Sequence, residues 1–259
     1  MNILVCMKQV PVVELHVSDE LNRNECELRN NPNDLFALEA SLQLRETYGG
    51  KVICLSMGPL QCEGPMREAL SMGADEVILL TSPAFSGADT LATSYTLASA
   101  IRSIEAFDVI VTGEQSLDGE TGQVGPSIAE HLGIPHITHV KSMEMDLNHY
   151  EITVSKNDQD IELELKVPLP ALLSIRKNSF YPRLPTIRGT LKAQTAEIKK
   201  WTEEEILADP QRIGLKGSAT RVLEARYNSK NHKHSKGTIS YFDHDKSCIS
   251  TLVNAIGSI

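Results

Sequence analysis

Residues 108–126 read Asp108-Val109-Ile110-Val111-Thr112-Gly113-Glu114-Gln115-Ser116-Leu117-Asp118-Gly119-Glu120-Thr121-Gly122-Gln123-Val124-Gly125-Pro126. An apolar run that predicts a buried strand leads into a loop with four glycines, and Pro126 suits the first turn of a following helix. Ligands of open α/β sheets bind at the carboxyl ends of the strands. Glycines allow backbone amides to approach a phosphate, and a helix N-terminus adds free N–H donors and a favourable dipole. The segment therefore predicts an anion-binding loop between a parallel strand and a helix.

This loop does not match the two best-known phosphate-binding patterns. It lacks the Gly-Lys-Ser/Thr ending of a Walker loop and the Gly-x-Gly-x-x-Gly fingerprint of a Rossmann site. Thr121 and Gln123 can supply side-chain hydrogen bonds. Asp118 and Glu120 would repel a phosphate unless they point away, or unless one of them contacts a sugar hydroxyl or caps a helix. A tight glycine-rich turn without a ligand is the alternative interpretation.

The sequence before this loop alternates short apolar runs with helical patterns, which is typical of a parallel sheet covered by helices. Buried strands are predicted at residues 2–7, 52–56, 77–80 and 109–112. Helices are predicted from Asp34 to Gly49-Gly50, over 65–72, from Asp89 or Thr90 to about 104, and over 126–132. Asp34, and either Asp89 or Thr90, are expected to be N-caps, because such side chains accept hydrogen bonds from the free amides. The fold class is therefore α/β with a mainly parallel sheet.

From about residue 136 the pattern changes to that of antiparallel strands. Three runs, at 137–145, 151–155 and 162–167, are separated by polar turns. Alternation within the third run means that one of its faces is buried and the other lies in water. A further buried strand is predicted at 171–175. We therefore expect an antiparallel extension of the sheet.

Beyond Lys177, prolines and glycines are frequent and strand signals are sparse. One short helix is predicted, because Thr202 and Glu205 form a capping box and Pro210 follows the helix end. Apolar residues continue to the C-terminus and make the segment too hydrophobic for a free tail, although simple disorder is the alternative. We therefore divide the chain into an α/β domain (1–193) and an extended C-terminal arm (194–259) that lies on a partner subunit.

The composition argues against several classes of protein. A net charge of −9 is unsuited to nucleic-acid binding, which requires a basic surface to neutralise phosphates. The five cysteines lack Cys-x-x-Cys spacing, so neither a metal cluster nor a disulfide framework is expected. No signal peptide or bilayer-spanning run is visible, which predicts a cytoplasmic protein without a membrane span. The histidines form no Ser/His/Asp or His-x-x-x-His arrangement, so no catalytic acid, base or nucleophile is predicted.

The sequence resembles the β-subunit family of electron transfer flavoproteins along nearly its whole length. Four segments carry the resemblance: Val5-Cys6-Met7-Lys8-Gln9-Val10-Pro11, Asn31-Pro32-Asn33-Asp34 with Ala37-Leu38-Glu39-Ala40, residues 55–59 with 67–75, and residues 178–193. The resemblance implies a fold related to adenine-nucleotide hydrolases. It also implies an FAD-binding α subunit as partner, around which the C-terminal arm wraps.

Members of this family differ in the nucleotide that the β subunit holds. Relay members hold AMP, and their loop resembles Asp-Asp-Asp-x-Asn-x-Thr-Gly. Electron-bifurcating members hold a second FAD, and their loop resembles Asp-Gly-Asp-Thr-x-Gln-Val-Gly-Pro. Residues 118–126 are similar to the bifurcating pattern and depart from it at Glu120. Gly119 and Thr121 replace bulky acidic positions, which makes room for a diphosphate.

The resemblance thus implies the β subunit of an electron-bifurcating complex, which is not catalytic alone. FAD bound here would take a hydride from NADH and divide the electrons between a ferredoxin or flavodoxin and the α-subunit FAD. The α-subunit FAD would serve a partner dehydrogenase, acyl-CoA dehydrogenase-like or another flavin dehydrogenase. Three alternatives stay open: a relay subunit that holds AMP, a nucleotide-binding sensor of the universal-stress type, and an ATP-cleaving enzyme. The last lacks a Ser-Gly-Gly-x-Asp-Ser-like loop after the first strand.

Two groups of functional residues follow from the loop and the resemblance. The residues expected to bind the cofactor are Cys6, Asn31, Asp34, Met57, Gly58, Asp89, Thr90, Thr93, Gly113, Gln115, Asp118, Gly119, Glu120, Thr121, Gly122, Gln123, Val124 and Gly125. The helix N-terminus at Asp89 and Thr90 would face the flavin or its diphosphate, although an ordinary capped helix is the alternative. The residues expected to dock the dehydrogenase are Pro182, Arg183, Leu184, Pro185 and Ile187, with Ile187 as the apolar anchor.

Overall fold

The computed structural model describes residues 1–12, 27–104, 106–159 and 161–221. These residues form a nine-stranded sheet with helices on both faces, and a separate two-stranded ribbon. The strands are β1 (Asn2–Cys6), β2 (Gln9–Pro11), β3 (Leu28–Asn30), β4 (Lys51–Met57), β5 (Glu76–Leu80), β6 (Val109–Gly113), β7 (His136–Asp146), β8 (Glu151–Asp158), β9 (Ile161–Pro168), β10 (Ala171–Ile175) and β11 (Lys199–Trp201). The ribbon consists of β2 and β3, which pair antiparallel.

Helices connect the strands of the parallel part of the sheet. They are α1 (Pro32–Tyr48), α2 (Glu63–Met72), α3 (Thr90–Arg102), α4 (Val124–Leu132), α5 (Ile187–Thr195) and the single turn α6 (Gly214–Gly217). Gly133 ends α4 in the left-handed conformation (φ 69°), which glycine adopts without a steric penalty. At the N-terminus of α3, Asp89 caps the helix by accepting a hydrogen bond from Ala92 N at 3.0 Å. The sequence prediction of a cap at Asp89 is therefore confirmed.

The sheet has the strand order β11-β5-β4-β1-β6-β10-β7-β8-β9. The seven strands from β11 to β7 are parallel, and β8 and β9 continue the sheet as antiparallel neighbours. The chain therefore leaves β1 in one direction towards β4 and β5, and then returns to place β6 on the opposite side of β1. Such a reversal opens a crevice at the carboxyl ends of β1 and β6, where ligands of open α/β sheets bind.

The two faces of the parallel sheet bury two separate cores. Ile3 and Val5 of β1 belong to the core that packs under α1 and α2. Leu4 and Cys6 point to the other face and belong to the core under α3 and α4. This alternation explains why residues 3–6 of β1 are all apolar, since a strand covered on both sides has no wet face. The two helical layers fix the ends of their helices relative to the crevice.

One predicted helix start is wrong. Helix α1 begins at Pro32 with Asn31 as its N-cap residue, so Asp34 lies inside the first turn. Proline is favoured at the first helical position because its missing N–H would have no partner there. The carboxylate of Asp34 instead accepts a hydrogen bond from Lys8 N at 2.7 Å, which ties the helix to the end of β1.

The region after Lys177 contains more regular structure than predicted. Helix α5 and strand β11 are both additional, and β11 pairs in parallel with β5. The capping-box hydrogen bond between Thr202 N and Glu205 Oε2 is present at 2.6 Å, but a turn follows and not the predicted helix. The described chain through Arg221 belongs to one compact unit. The remainder of the predicted arm, 222–259, lies outside the described residues.

Candidate functional site

The crevice between β1 and β6 is closed at its base by the carboxylate of Asp34. Its Oδ2 accepts the hydrogen bond from Lys8 N just beyond β1, and the N–H of Gly113 at the end of β6 also donates to this carboxylate. A Cβ at position 113 would overlap Asp34 Oδ1 and the backbone of Asn33, so glycine is required for the close approach. Burial raises the pKa of Asp34 to about 7, although hydrogen bonds from Lys8, Asn31 and Gly113 oppose the shift. Asp34 therefore joins β1, β6 and α1.

Two asparagines at the start of α1 hold the first part of the glycine-rich loop. Asn31 Nδ2 and Asn33 Nδ2 both donate to the carbonyl oxygen of Gln115, at 2.9 and 2.8 Å. Asn31 Oδ1 accepts from Leu117 N at 3.3 Å. The predicted cofactor residues Asn31 and Asp34 thus lie at the crevice. In the structure, however, the side-chain amide of Asn31 holds the loop and the carboxylate of Asp34 is bonded to Lys8 N.

Asp118 forms an ion pair with Lys8. Lys8 Nζ lies 2.6 Å from Asp118 Oδ1 and 2.8 Å from Oδ2, and 3.5 Å from Ser116 Oγ. Partial burial acts to raise the pKa of Asp118, but the hydrogen bond and charge of Lys8 outweigh it and hold the pKa below its usual value. The charge of Asp118 is therefore balanced within the protein, which answers the repulsion problem that the sequence raised for this residue.

The second part of the loop, residues 119–123, is exposed. Glu120 and Gly122 have positive φ angles of 52° and 62°, and Glu120 N donates to Ser116 O at 2.9 Å. Alternating backbone conformations of this kind turn successive amides towards one side of a loop and create a concave site for anions. Helix α4 follows directly at Val124, so its free N–H groups face the same region. The described geometry fits the predicted anion-binding loop.

A second helix N-terminus lies beside the loop. Thr90 Oγ1, at the start of α3, donates to Gln123 Oε1 at 3.0 Å and so joins α3 to the residue that precedes α4. Thr93 follows in the first turn of α3, where its N–H donates to the carbonyl oxygen of Asp89 at 2.9 Å. The second carboxylate oxygen of Asp89 accepts from Thr220 N and Oγ1, at 2.9 and 3.1 Å. The Asp89 carboxylate is therefore occupied by capping and by residue 220, whereas the Thr90 side chain reaches the loop.

A buried hydroxyl lies where β6 meets the start of α4. Thr112 Oγ1 has no hydrogen-bond partner among the described residues, and the side chain is 7% exposed. A Cβ on Gly125 would lie 2.9 Å from this oxygen, so the glycine allows the helix start to approach the strand end. An unpaired buried hydroxyl costs free energy unless a ligand or water satisfies it. Thr112 was not among the residues predicted from sequence, because its threonine reads as part of an ordinary strand.

Lys8 is the other functional residue that the sequence prediction did not include. It was quoted only as part of a family segment, and its role emerges from contacts that span 26 and 110 positions of sequence. Its place directly after the first parallel strand was the one available signal, because residues at that position lie at the ligand-binding edge of the sheet.

A cleft of about 610 Å³ opens at the carboxyl ends of β4 and β5. Its lining is uncharged and comprises Met57, Gly58, Pro59, Leu60, Thr81, Ser82, Pro83, Phe85 and Ser86. The predicted cofactor residues Met57 and Gly58 therefore lie in a cleft of the size that small-molecule sites have. Cys6 lies at the end of the adjacent strand β1, and burial raises the pKa of its thiol to about 12 with Asp34 adding to the shift. Cys6 is thus a neutral, apolar side chain near neutral pH.

The predicted docking residues 182–185 lie between β10 and α5, and Ile187 is the first residue of α5. Leu184 and Ile187 are 86% and 84% exposed, which is unusual for large apolar side chains. Pro182 and Pro185 flank Leu184. The guanidinium of Arg183 points inward to α1, where it pairs with Glu39 and Glu46. Leu184 and Ile187 thus expose apolar surface, whereas the charged group of Arg183 is directed to the carboxylates of α1.

Among the described residues, no helix is long and apolar enough to cross a membrane. Within the same residues there is no group of three or more histidine, cysteine, aspartate or glutamate side chains that could hold a metal ion.

The reversal of strand order, the glycine-rich loop and the two helix N-termini define an α/β protein with a candidate anion-binding site at the carboxyl end of its sheet. The family model of the electron transfer flavoprotein domain matches residues 21–206. The chain therefore belongs to the electron transfer flavoprotein family, among the relatives of its β subunits.

Individual relatives are similar over most of their length. The chain is 44% identical to the electron transfer flavoprotein subunit beta of Clostridium acetobutylicum over 229 residues, 87% of each chain. It is 40% identical to protein FixA of Azorhizobium caulinodans, over 86% of this chain and 83% of that one. It is 38% identical to the caffeyl-CoA reductase-Etf complex subunit CarD of Acetobacterium woodii, over 87% of each chain. These relatives support a role as an electron transfer flavoprotein β subunit.

Proposed function

We propose that this chain is the FAD-binding β subunit of an electron-bifurcating flavoprotein that pairs with an FAD-binding α subunit. One observation carries the proposal. Residues 119–123 are exposed beside two helix N-termini, while the neighbouring carboxylate of Asp118 is held by Lys8. The loop can therefore accept two phosphates without bringing the Asp118 charge against them.

The residues of the crevice fit a dinucleotide in charge and in shape. Gly119 leaves the approach to the amides open, and the hydroxyls of Thr121 and Thr90 are near the same backbone. Thr112 Oγ1 is a buried hydroxyl in need of a partner at the start of α4. Such a set of donors suits a diphosphate, because charge-assisted hydrogen bonds to phosphate oxygens are stronger than those between neutral groups. The side chain of Glu120 must remain directed to solvent for this fit.

The uncharged cleft beside Met57 and Phe85 suits a planar ring of the same dinucleotide. Its apolar walls would exclude water from the ring, and the hydroxyls of Thr81, Ser82 and Ser86 can donate to ring heteroatoms. When bound, FAD supplies the chemistry, since it accepts a hydride from NADH and passes electrons on singly. The chain binds and orients this cofactor and contributes no acid, base or nucleophile of its own. The complex is thus the electron-transferring unit, and this subunit alone is not catalytic.

Three partners follow from this proposal: the α subunit, a ferredoxin or flavodoxin that takes one electron, and a dehydrogenase that is served by the α-subunit FAD. The segment with Leu184 and Ile187 is the proposed docking surface for the dehydrogenase, which is acyl-CoA dehydrogenase-like or another flavin dehydrogenase. Exposed apolar side chains on a proline-stiffened segment lose little entropy on docking, which favours that use. The part of the C-terminal arm beyond Arg221 is proposed to wrap the α subunit in a cytoplasmic heterodimer, since residues 199–213 contribute to the sheet and core of this chain.

Nucleotide content of the purified heterodimer tests the ligand assignment. After acid release, absorbance should give two FAD for each heterodimer, and AMP should be absent from the chromatogram. One FAD and one AMP would identify a relay subunit and overturn bifurcation, while the family assignment would stand. A colourless chain that carries ATP and forms no heterodimer would favour a nucleotide sensor.

A further inference from the structure

Arg183 is the most heavily bonded side chain of the proposed docking segment. Its Nε donates to Glu39 Oε2 at 2.8 Å and its Nη2 to Glu39 Oε1 at 3.0 Å, so the pair is bidentate. Nη1 and Nη2 also donate to the two carboxylate oxygens of Glu46, about two helical turns further along α1. The backbone N–H of Arg183 donates to Glu39 Oε2 at 3.1 Å. Five hydrogen bonds thus join one residue of the segment to α1.

The receiving carboxylate is built into the fold. Glu39 is 4% exposed, and Gln43 Nε2 donates to its Oε1 at 2.8 Å. Burial acts to raise the pKa of Glu39, but the hydrogen bonds from Arg183 outweigh burial and hold the pKa below its usual value. Because the planar guanidinium matches the carboxylate in a fixed fork, this pair sets the direction of the backbone at residue 183 and not only its distance from α1.

The other end of the segment is also fixed. Thr186 caps α5 by accepting a hydrogen bond from Gly189 N at 2.9 Å. A Cβ at Gly189 would overlap the carbonyl oxygen of Ser71 in α2, so α5 lies directly against that helix. Residues 184–187 therefore span a short distance between two anchored points. Leu184 and Ile187 project from this span into solvent.

We propose that Arg183 is a positioning residue: held by Glu39 and Glu46, it presents Leu184 and Ile187 as preorganised anchors for an apolar pocket of the dehydrogenase. This inference rests on the proposed docking function and deepens it. Four of the five N–H donors of the Arg183 guanidinium are engaged by α1, so this side chain is not needed for contact with the dehydrogenase. The matching pocket on the dehydrogenase is therefore apolar and does not need an acidic group opposite residue 183.

A double-mutant cycle in the intact heterodimer tests the proposal, with a purified acyl-CoA dehydrogenase as the probe. Arg183→Met and Glu39→Gln should each raise the KM for the dehydrogenase about tenfold, the order expected when anchoring side chains must be ordered on docking. The kcat and the flavin content should not change. The double variant should be no worse than Arg183→Met alone, because that change already removes the contact with Glu39. Glu39 is buried and cannot touch the dehydrogenase, so an effect there reports positioning.

Controls separate this inference from the docking function itself. Arg188→Met removes an exposed arginine five residues away and should leave KM unchanged. The double variant Leu184→Ala/Ile187→Ala, with Arg183 intact, should by itself raise the KM for the dehydrogenase. If that pair has no effect, the docking surface is wrong and this inference is overturned with it. If the pair raises KM but Glu39→Gln does not, Arg183 is not a positioning residue and docking stands.

Hydrogen exchange gives a readout that does not depend on the dehydrogenase. The amide of Arg183, which donates to Glu39 Oε2, should exchange faster in Arg183→Met and in Glu39→Gln than in the wild-type heterodimer, while those of α1 stay protected. Arg183→Lys keeps the charge but loses the fork, and should give intermediate exchange and an intermediate KM. Unchanged exchange in all three variants would overturn the proposal.

Discussion

Gly119→Asp should expel FAD from this subunit while leaving the fold intact. The φ angle of Gly119 is outside the left-handed region, so the backbone accepts an L side chain. A Cβ there would meet one neighbour, Ser116 Oγ, at 3.3 Å. A flexible serine side chain can move by the few tenths of an ångström required. The variant therefore places a carboxylate at the proposed approach of the phosphates without a large steric cost.

The size of the effect follows from charge repulsion. Two unit charges about 4 Å apart at an effective dielectric constant near 20 repel by roughly 4 kcal/mol. That repulsion corresponds to about a thousandfold loss of affinity before any relaxation. Lys8 already pairs with both oxygens of Asp118, so in the variant its single positive charge would be shared between two carboxylates. One negative charge would thus remain unbalanced next to the diphosphate.

Flavin stoichiometry after acid release, on wild-type and variant heterodimers side by side, measures the outcome. We expect two FAD in the wild type and one in Gly119→Asp, with NADH-driven ferredoxin reduction lost as well. Gly119→Asn is the matched control, since it adds the same bulk without the charge, and should retain most of the second FAD. A Gly119→Asp heterodimer that keeps both FAD molecules would refute the reasoning. Equal loss in both variants would mean that shape, and not charge, excludes the ligand.

Two further predictions concern the base of the crevice and the arm. Asp34→Asn removes a carboxyl whose pKa is raised only in the folded chain, to about 7. Wild type should therefore lose about 1.4 kcal/mol of unfolding free energy per pH unit relative to the variant as the pH rises from about 4 to 7; parallel profiles in urea unfolding would contradict the burial argument. Truncation after Arg221 keeps β11 and the buried Ile206 and Ile213, so the product should fold by circular dichroism yet fail to copurify with the α subunit. Full-strength pairing of that product would rule out the arm as the main contact.

The alternation of short apolar runs with helical patterns predicted the strands and helices of the parallel part of the sheet. Buried strands and capped helices can be recognised from neighbouring residues in the sequence. Their order in the sheet has no such signal. Strand β10 was predicted as a buried run, but its place between β6 and β7 depends on which edges meet in three dimensions. Helix α5 was not predicted, since Gly189 and two threonines give it a weak local preference. Its packing against α2 compensates for that preference.

The loop was identified from its glycines, whereas the behaviour of its charges was not. Asp118 meets Lys8 across 110 positions, and Arg183 meets Glu39 across 144. Neither pair can be found from local spacing, because each partner lies on a separate element. In each contact, another residue of the chain binds a charged side chain that the sequence analysis had assigned to the cofactor or to the docking surface. Burial of the partner, as at Glu39, is likewise a property of the assembled fold.

Most hydrogen bonds from the glycine-rich loop to the rest of the protein are made by its first part. Ligand preference can therefore change through the second part alone. Residues 115–118 are bound to α1 and Lys8, whereas exposed residues 119–123 carry few contacts with the rest of the protein. Five consecutive positions can therefore be exchanged as a cassette on an unchanged scaffold. A single short substitution of this kind offers evolution, or an engineer, a route between different nucleotides without a new fold.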